Sequence, residues 1–197
     1  MQKFFLGLCL SLYSLSSIGQ PTNAITDADK KYKEVKELVS KQDYAFAYTL
    51  VKDLKKQYPE STQSDHAYIN DDLNYFEILC AVKLNQTQAK EAAEVYITSV
   101  NNNPRRQMMS FHLAHAYFLE NNFASAIKYY DIAGYDNLSN EQIADAKFEK
   151  AYSYFNEKQF AAAKPLFNEI HQLPNNKYYI PANYYYGFIS YYDKDYE

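Results

Sequence analysis

Two histidines come closest to forming a chemical site in this sequence. His112 and His115 lie one turn apart on a predicted helix and could share a metal ion, but no cysteine or acid at ligand spacing accompanies them. Structural zinc takes four ligands, so we expect no metal site. Cys80 lies in a packing position, no Ser/His/Asp or Cys/His arrangement is visible, and there is no glycine-rich phosphate loop. We therefore expect neither an enzyme nor a bound cofactor.

The composition indicates a globular, mostly helical chain. It has 197 residues, 47% of them hydrophobic and 22% charged, which excludes a disordered chain. Only 4 Gly and 6 Pro are present, too few for the tight turns of an all-β fold. The net charge of −4, without a basic run, argues against binding to nucleic acid or anionic membranes. The 22 Tyr and 12 Phe are an excess that needs a structural or functional reason.

The first residues have the pattern of a signal peptide. Lys3 gives a positive start, an apolar stretch follows from Phe4 to Leu15, and small residues end the segment at Gly19. The apolar stretch is shorter than the roughly 20 residues of a spanning helix. We predict a signal peptide over residues 1–19 and a short linker over 20–26. The protein is then exported, to the periplasm of a Gram-negative envelope or to the medium.

A repeated spacing organises the remaining chain. Counted from Ala114 or from Ala151, aromatic residues recur at +3, +9 and +16, and an alanine recurs at +12. Weaker copies start from Val35, Cys80 and Gly187. The small residues allow two helices to approach closely, and the aromatics fill the space between them. These positions predict the following repeat-packing residues: Cys80, Ala92, Ala114, Tyr117, Phe123, Ala126, Tyr130, Ala151, Tyr154, Phe160, Ala163, Phe167 and Gly187.

This spacing resembles the tetratricopeptide-repeat (TPR) family, whose unit of about 34 residues is a pair of antiparallel helices. The resemblance covers residues 27–197 and implies an all-α solenoid of helix hairpins with about four and a half repeats. The repeats are expected at about 27–59, 66–104, 105–138, 140–175 and, incomplete, 180–197. Ser139 and Gln142 have the spacing of a capping box at the start of one helix. We also expect the polypeptide to continue beyond Glu197 with further repeats or domains.

The first helix of each of the last three repeats carries an aromatic stripe. In the TPR family this stripe lines a concave groove that binds ligands, so the resemblance implies a partner-binding groove. Its predicted residues are His115, Phe118, Tyr152, Phe155, Asn156, Phe188, Tyr191 and Tyr192. Aromatic side chains supply large contact areas at low entropic cost, which suits an extended or helical peptide. The alternative is that such aromatics pack between repeats, which is our interpretation of Phe111, Phe148 and Tyr184.

Three functions remain open at this point. The first is a non-catalytic envelope scaffold that binds a protein or peptide partner in the groove. The second is the extracytoplasmic sensing region of a membrane-spanning signalling or transcription regulator. The third is a carbohydrate-binding module that uses the tyrosines as a stacking surface.

Overall fold

The computed structural model describes residues 22–59 and 67–193. All regular secondary structure in these two stretches is α-helical, which confirms the predicted all-α class. The helices are α1 (Thr22–Ser40), α2 (Tyr44–Gln57), α3 (Ala67–Lys83), α4 (Ala89–Ser99), α5 (Asn103–Leu119), α6 (Phe123–Ala133), α7 (Asn140–Asn156), α8 (Phe160–His171) and α9 (Tyr179–Tyr192). The predicted signal peptide lies outside the described residues, and α1 begins at Thr22, inside the segment predicted as a linker.

The helix starts follow from local capping chemistry. Ser139 accepts a hydrogen bond from the backbone N–H of Gln142, and the Gln142 side chain accepts one from the backbone N–H of Ser139. This reciprocal pair confirms the predicted capping box of α7. Asn102 and Asn122 cap α5 and α6 by a single bond, each side chain accepting a hydrogen bond from the backbone N–H three residues further along.

Three of the helix hairpins are closed by the same turn. The connections α1–α2, α5–α6 and α7–α8 each have three residues between the helices, and the middle residue of each takes a left-handed conformation: Gln42, Asn121 and Lys158. The residue that follows the left-handed one donates its backbone N–H to the carbonyl oxygen of the residue five positions before it, at 2.8–2.9 Å in all three turns. This is the Schellman arrangement that ends many helices. The hairpins are therefore repeats in structure as well as in sequence.

The α3–α4 hairpin has the same bond, from the backbone N–H of Gln86 to the carbonyl of Ala81 at 2.9 Å, but differs in the length of its connection. Its connection has five residues, because α3 ends at Lys83, and it contains two left-handed residues, Asn85 and Gln88. The longer turn changes the rotation of α4 about its own axis, and so changes which of its residues face the core. As a result Ala93 is buried on α4, whereas Ala92, the predicted packing residue, is exposed.

The helices pack in chain order. Each helix from α1 to α9 contacts the next one in sequence, and the odd-numbered helices α1, α3, α5 and α7 also contact one another in series. Among the described residues, the core consists of two clusters of buried apolar side chains. One extends from Val35 to Ala146, and the other, from Ala151 to Ile189, is formed by α7, α8 and α9. The helices α1, α3, α5 and α7 thus form one continuous layer, and aromatic rings of α9 contact α7 at its end. This layer carries the site.

Candidate functional site

A row of aromatic rings crosses α5, α7 and α9. Its members, called the aromatic row here, are Phe118, Tyr152, Tyr185, Phe155 and Phe188. Ring centroids are 5.8 Å apart from Phe118 to Tyr152, 5.3 Å from Tyr152 to Tyr185, and 4.9 Å from Tyr185 to Phe155. A further 5.4 Å separates Phe155 from Phe188, and all four contacts are edge-on. Every ring in the row is half-buried, so each packs on its neighbours and keeps part of its surface accessible.

The row ends in an exposed aromatic face on α9. Tyr192 lies 4.7 Å from the Phe188 ring and 5.8 Å from the Tyr191 ring, and both tyrosines are 66% exposed. Tyr184, expected in the core, is equally exposed. Gly187 is exposed on the same helix, and no described atom beyond its own helix and immediate neighbours lies within 4 Å of the position a Cβ would take. This end of the molecule therefore presents a largely apolar surface.

The remaining predicted groove residues have polar partners. Asn156 is exposed, and its side-chain amide donates to the backbone carbonyl of Tyr152. His115 is half-buried, and its Nδ1 lies 2.9 and 3.0 Å from the two carboxylate oxygens of Glu149. The structure therefore brings Phe118, Tyr152, Phe155 and Phe188 together in one row and assigns His115 to a separate polar cluster.

The polar cluster is built around a buried carboxylate. Glu149 on α7 is only 5% exposed. Its carboxylate is hydrogen-bonded to the His115 ring of α5 and accepts a hydrogen bond from the hydroxyl of Tyr130 on α6. Burial, together with the negative charge of Glu149, raises the pKa of Tyr130, so the phenol stays protonated and donates. Three helices are thus joined through one carboxylate.

His112 lies beside this cluster without a hydrogen bond at Nδ1. That atom is closed off from solvent and has no partner in the described part of the chain. Its ring packs edge-on against Phe111, at 5.2 Å between centroids. Burial lowers the pKa of His112 well below its ordinary value, and electrostatic interactions with Lys83 and His115 lower it further. The imidazole is therefore neutral at physiological pH.

Cys80 is a packing residue in the structure. It is fully buried, and burial raises the pKa of its thiol to about 12, so it is not a reactive thiolate. Within residues 22–59 and 67–193, no three His, Cys, Asp or Glu side chains are grouped so that they could hold a metal ion. No helix in those ranges combines the length and the apolarity needed to cross a membrane.

Most of the predicted packing residues lie inside the molecule. The buried ones are Cys80, Ala114, Ala126, Tyr130, Ala151, Ala163 and Phe167. The half-buried ones are Tyr117, Phe123, Tyr154 and Phe160. Ala92 and Gly187 are exposed, the former because of the longer α3–α4 turn and the latter because no described element covers it.

Sequence reasoning missed two members of the site, Tyr185 in the aromatic row and Glu149 in the polar cluster. A signal for Glu149 exists in the sequence, because it lies three residues after Ala146 and four before Ser153. All three side chains are buried on one stripe of α7. A glutamate on a stripe of small buried residues requires hydrogen-bond donors from neighbouring helices. Tyr130 and His115 have that role here.

We expect the stability of the protein to fall as the pH falls below the ordinary histidine pKa of 6.5. The pKa of His112 is lower in the folded state than in the unfolded state. Its contribution to the free energy of unfolding is therefore complete above pH 6.5 and is lost at lower pH, as the unfolded chain takes up a proton that the folded chain does not. The loss approaches about 1.4 kcal/mol per pH unit. Urea unfolding of the wild type and of His112→Gln at pH 7.5, 6.5 and 5.5 measures it, because the two proteins differ only at this side chain. Parallel pH profiles for the two proteins would contradict the prediction.

Comparisons of the chain with protein-family models, with curated proteins and with solved structures found no match.

Proposed function

We propose that this chain is a non-catalytic scaffold of the TPR type that binds an extended polypeptide along the layer of odd-numbered helices. In this proposal the helix hairpins form a solenoid, and the odd-numbered helices line its concave surface. The solenoid geometry would leave a long, continuous face free for a partner.

Two features support the solenoid part of the proposal. Three hairpins share one Schellman turn, with its left-handed residue in the same place. The packing is also mostly local in sequence, since the helix contacts join consecutive helices and successive odd-numbered ones. Both features are expected when one supersecondary unit is stacked repeatedly.

The observation that carries the binding proposal is the aromatic row with its exposed end. Five half-buried rings extend across three successive odd-numbered helices and lead to Tyr191 and Tyr192, each 66% exposed. The rings hold one another in place by edge contacts, so little entropy would be lost when a partner covers them. Tyrosine adds a hydroxyl that bonds to the backbone of an extended peptide. The partner is therefore expected to be a peptide segment with apolar side chains.

The proposed location is outside the cytoplasm, in the cell envelope or the medium. It rests on the signal-peptide pattern of residues 1–19, with its positive start, apolar stretch and small residues. An envelope protein or peptide is accordingly the proposed partner.

The binding proposal is tested with a peptide selected on the protein itself. Random 15-residue peptides displayed on phage are selected on the full chain, and the dissociation constant of a selected peptide is measured by fluorescence anisotropy. The double variant Tyr191→Ala/Tyr192→Ala should bind about tenfold more weakly or worse, because exposed aromatics dominate interface energies. Its far-ultraviolet circular dichroism should stay helical, since both side chains lie at the surface.

Phe46→Ala provides the matched control. Phe46 is 69% exposed on α2, outside the odd-numbered layer, and its removal should leave the affinity unchanged. The proposal fails if selection yields no saturable binder. It fails also if the affinity is lost in Phe46→Ala and kept in the tyrosine double variant.

A further inference from the structure

Four exposed positions lie on one stripe of α9. They are Ile180, Tyr184, Gly187 and Tyr191, spaced by four, three and four residues, so they fall within about 60° of arc on the helix. Ile180 is 80% exposed, and each of the two tyrosines is 66% exposed. This stripe, called the α9 seam here, has the spacing with which one helix packs along another.

The α9 seam belongs to a helix without charged residues. Tyr179–Tyr192 contains no Asp, Glu, Lys or Arg, whereas each of the other helices in the described ranges contains at least one. The charged residues that flank α9 are already paired within the chain: Lys177 with Asp145 at 2.6 Å, and Asp193 with Lys164 at 3.3 Å. A helix face that stays in water is normally polar. The seam therefore has the character of a surface that a partner covers.

A second copy of α9 matches this surface in charge. A charged partner helix would lose hydration on the seam without gaining an ion pair there. A two-fold axis also brings like residues close together, so a charge on the seam would repel its own copy, and the seam carries none. Among the described helices, α9 is the one that offers an uncharged face to another uncharged face.

The seam also matches itself in shape. If two copies pack antiparallel about an axis midway between Tyr184 and Gly187, each Tyr184 ring lies opposite the partner's Gly187. Each Ile180 then lies opposite the partner's Tyr191. No described atom beyond its own helix and immediate neighbours lies within 4 Å of the position that a Cβ of Gly187 would take, so this space is open to an incoming ring. Large residues thus meet small ones across the axis.

The exposed area sets the strength of such a contact. An aromatic side chain presents about 150–250 Å², so the three large seam residues open on the order of 400 Å² in each copy. Two seams would bury about 800 Å², and flanking residues such as Tyr192 would bring the total towards the roughly 1,200–2,000 Å² of stable interfaces. The area therefore suits a dimer that dissociates on dilution.

We propose that the chain forms a homodimer in which the α9 seams of two copies pack antiparallel about a two-fold axis. The inference stands apart from the proposed function, because association is measured without any peptide. Tyr191 is common to the seam and to the exposed end of the aromatic row. The variants that test the dimer are therefore placed at Ile180 and Tyr184, outside the row.

Sedimentation equilibrium of the full chain tests the proposal. The wild type should reach twice the monomer mass at about 100 µM and dissociate on dilution. Tyr184→Glu places two like charges near the axis and should weaken association about a hundredfold or more. Ile180→Glu is a second variant with the same expected direction. Phe46→Glu is the matched control, because it changes an aromatic residue that is 69% exposed on α2, and it should leave the dimer unchanged.

Mixing two charge variants identifies the partner as a second copy. Tyr184→Glu and Tyr184→Lys should each be monomeric alone, and their equimolar mixture should form a heterodimer, since opposite charges then meet near the axis. A wild type that is monomeric at about 100 µM would leave the seam to another segment or protein, and it overturns the proposal. A dimer that survives Tyr184→Glu, a dimer that Phe46→Glu dissociates equally, or a mixture that stays monomeric overturns it as well.

Discussion

Replacing Phe167 with alanine should lower the free energy of unfolding by about 3–5 kcal/mol. Phe167 is fully buried on α8, between Phe148 of α7 at 6.0 Å and Tyr185 of α9 at 5.2 Å between ring centroids. The substitution removes the central ring of the second core cluster and leaves a cavity that three helices must collapse to fill. Urea unfolding followed by circular dichroism measures the effect.

The same substitution at the surface is the control for Phe167. Phe46→Ala removes an identical side chain that is 69% exposed, so its effect should stay within about 0.5 kcal/mol. Because Phe167 belongs to the cluster formed by α7, α8 and α9, amide hydrogen exchange should accelerate first in α8 and α9 and least in α2. An unfolding free energy close to that of the wild type, or exchange that accelerates equally in α2, would contradict this interpretation.

The burial of Phe167 could be predicted from the sequence because its repeat has the common hairpin turn. In α5–α6 and α7–α8 the same three-residue connection fixes the rotation of the second helix about its axis. Counting residues from the first helix therefore identifies the buried face of the second. The same count predicts a buried Ala92, which is exposed in the structure because the α3–α4 connection is two residues longer. Spacing predicts burial only as far as the turns between helices are alike.

The candidate site was predictable in part, for a different reason. Phe118, Tyr152, Phe155 and Phe188 share a face of their own helices, which helical periodicity reveals. Their joining into one row depends on Tyr185, whose ring bridges α7 and α9. Contacts between helices that are far apart in sequence are not encoded in the periodicity of either helix.

The polar residues were harder to interpret because charge alone does not reveal burial. Lys83 and Asp145 are charged, as residues on exposed helix faces commonly are, yet both are partly buried and line the same cavity of about 340 Å³. His112 was considered in the sequence only as half of a metal pair with His115. In the structure His115 is bonded to Glu149, whereas Nδ1 of His112 has no hydrogen-bond partner within residues 22–59 and 67–193, so the two rings have separate roles.

Removing the hydroxyl of Tyr130 should cost about 1.5–3 kcal/mol of stability, the range for hydrogen bonds to charged groups. Tyr130 and Glu149 are both buried, so in Tyr130→Phe no water can replace the lost donor, and His115 is left as the remaining side-chain donor to the carboxylate. In a double-mutant cycle with Glu149→Gln, the two substitutions should be non-additive by about 0.5–3 kcal/mol. Urea unfolding of the four proteins at pH 7.5 measures the coupling.

Tyr135 offers a closely matched control for this substitution. Its hydroxyl is also buried, but it has no hydrogen-bond partner among the described residues. Tyr135→Phe removes a buried polar atom that is already unsatisfied, so it should be neutral or slightly stabilising. If Tyr135→Phe costs as much as Tyr130→Phe, the loss at Tyr130 comes from repacking of the ring. If only Tyr130→Phe destabilises and the cycle shows coupling, the Glu149 carboxylate joins α5, α6 and α7 through specific hydrogen bonds.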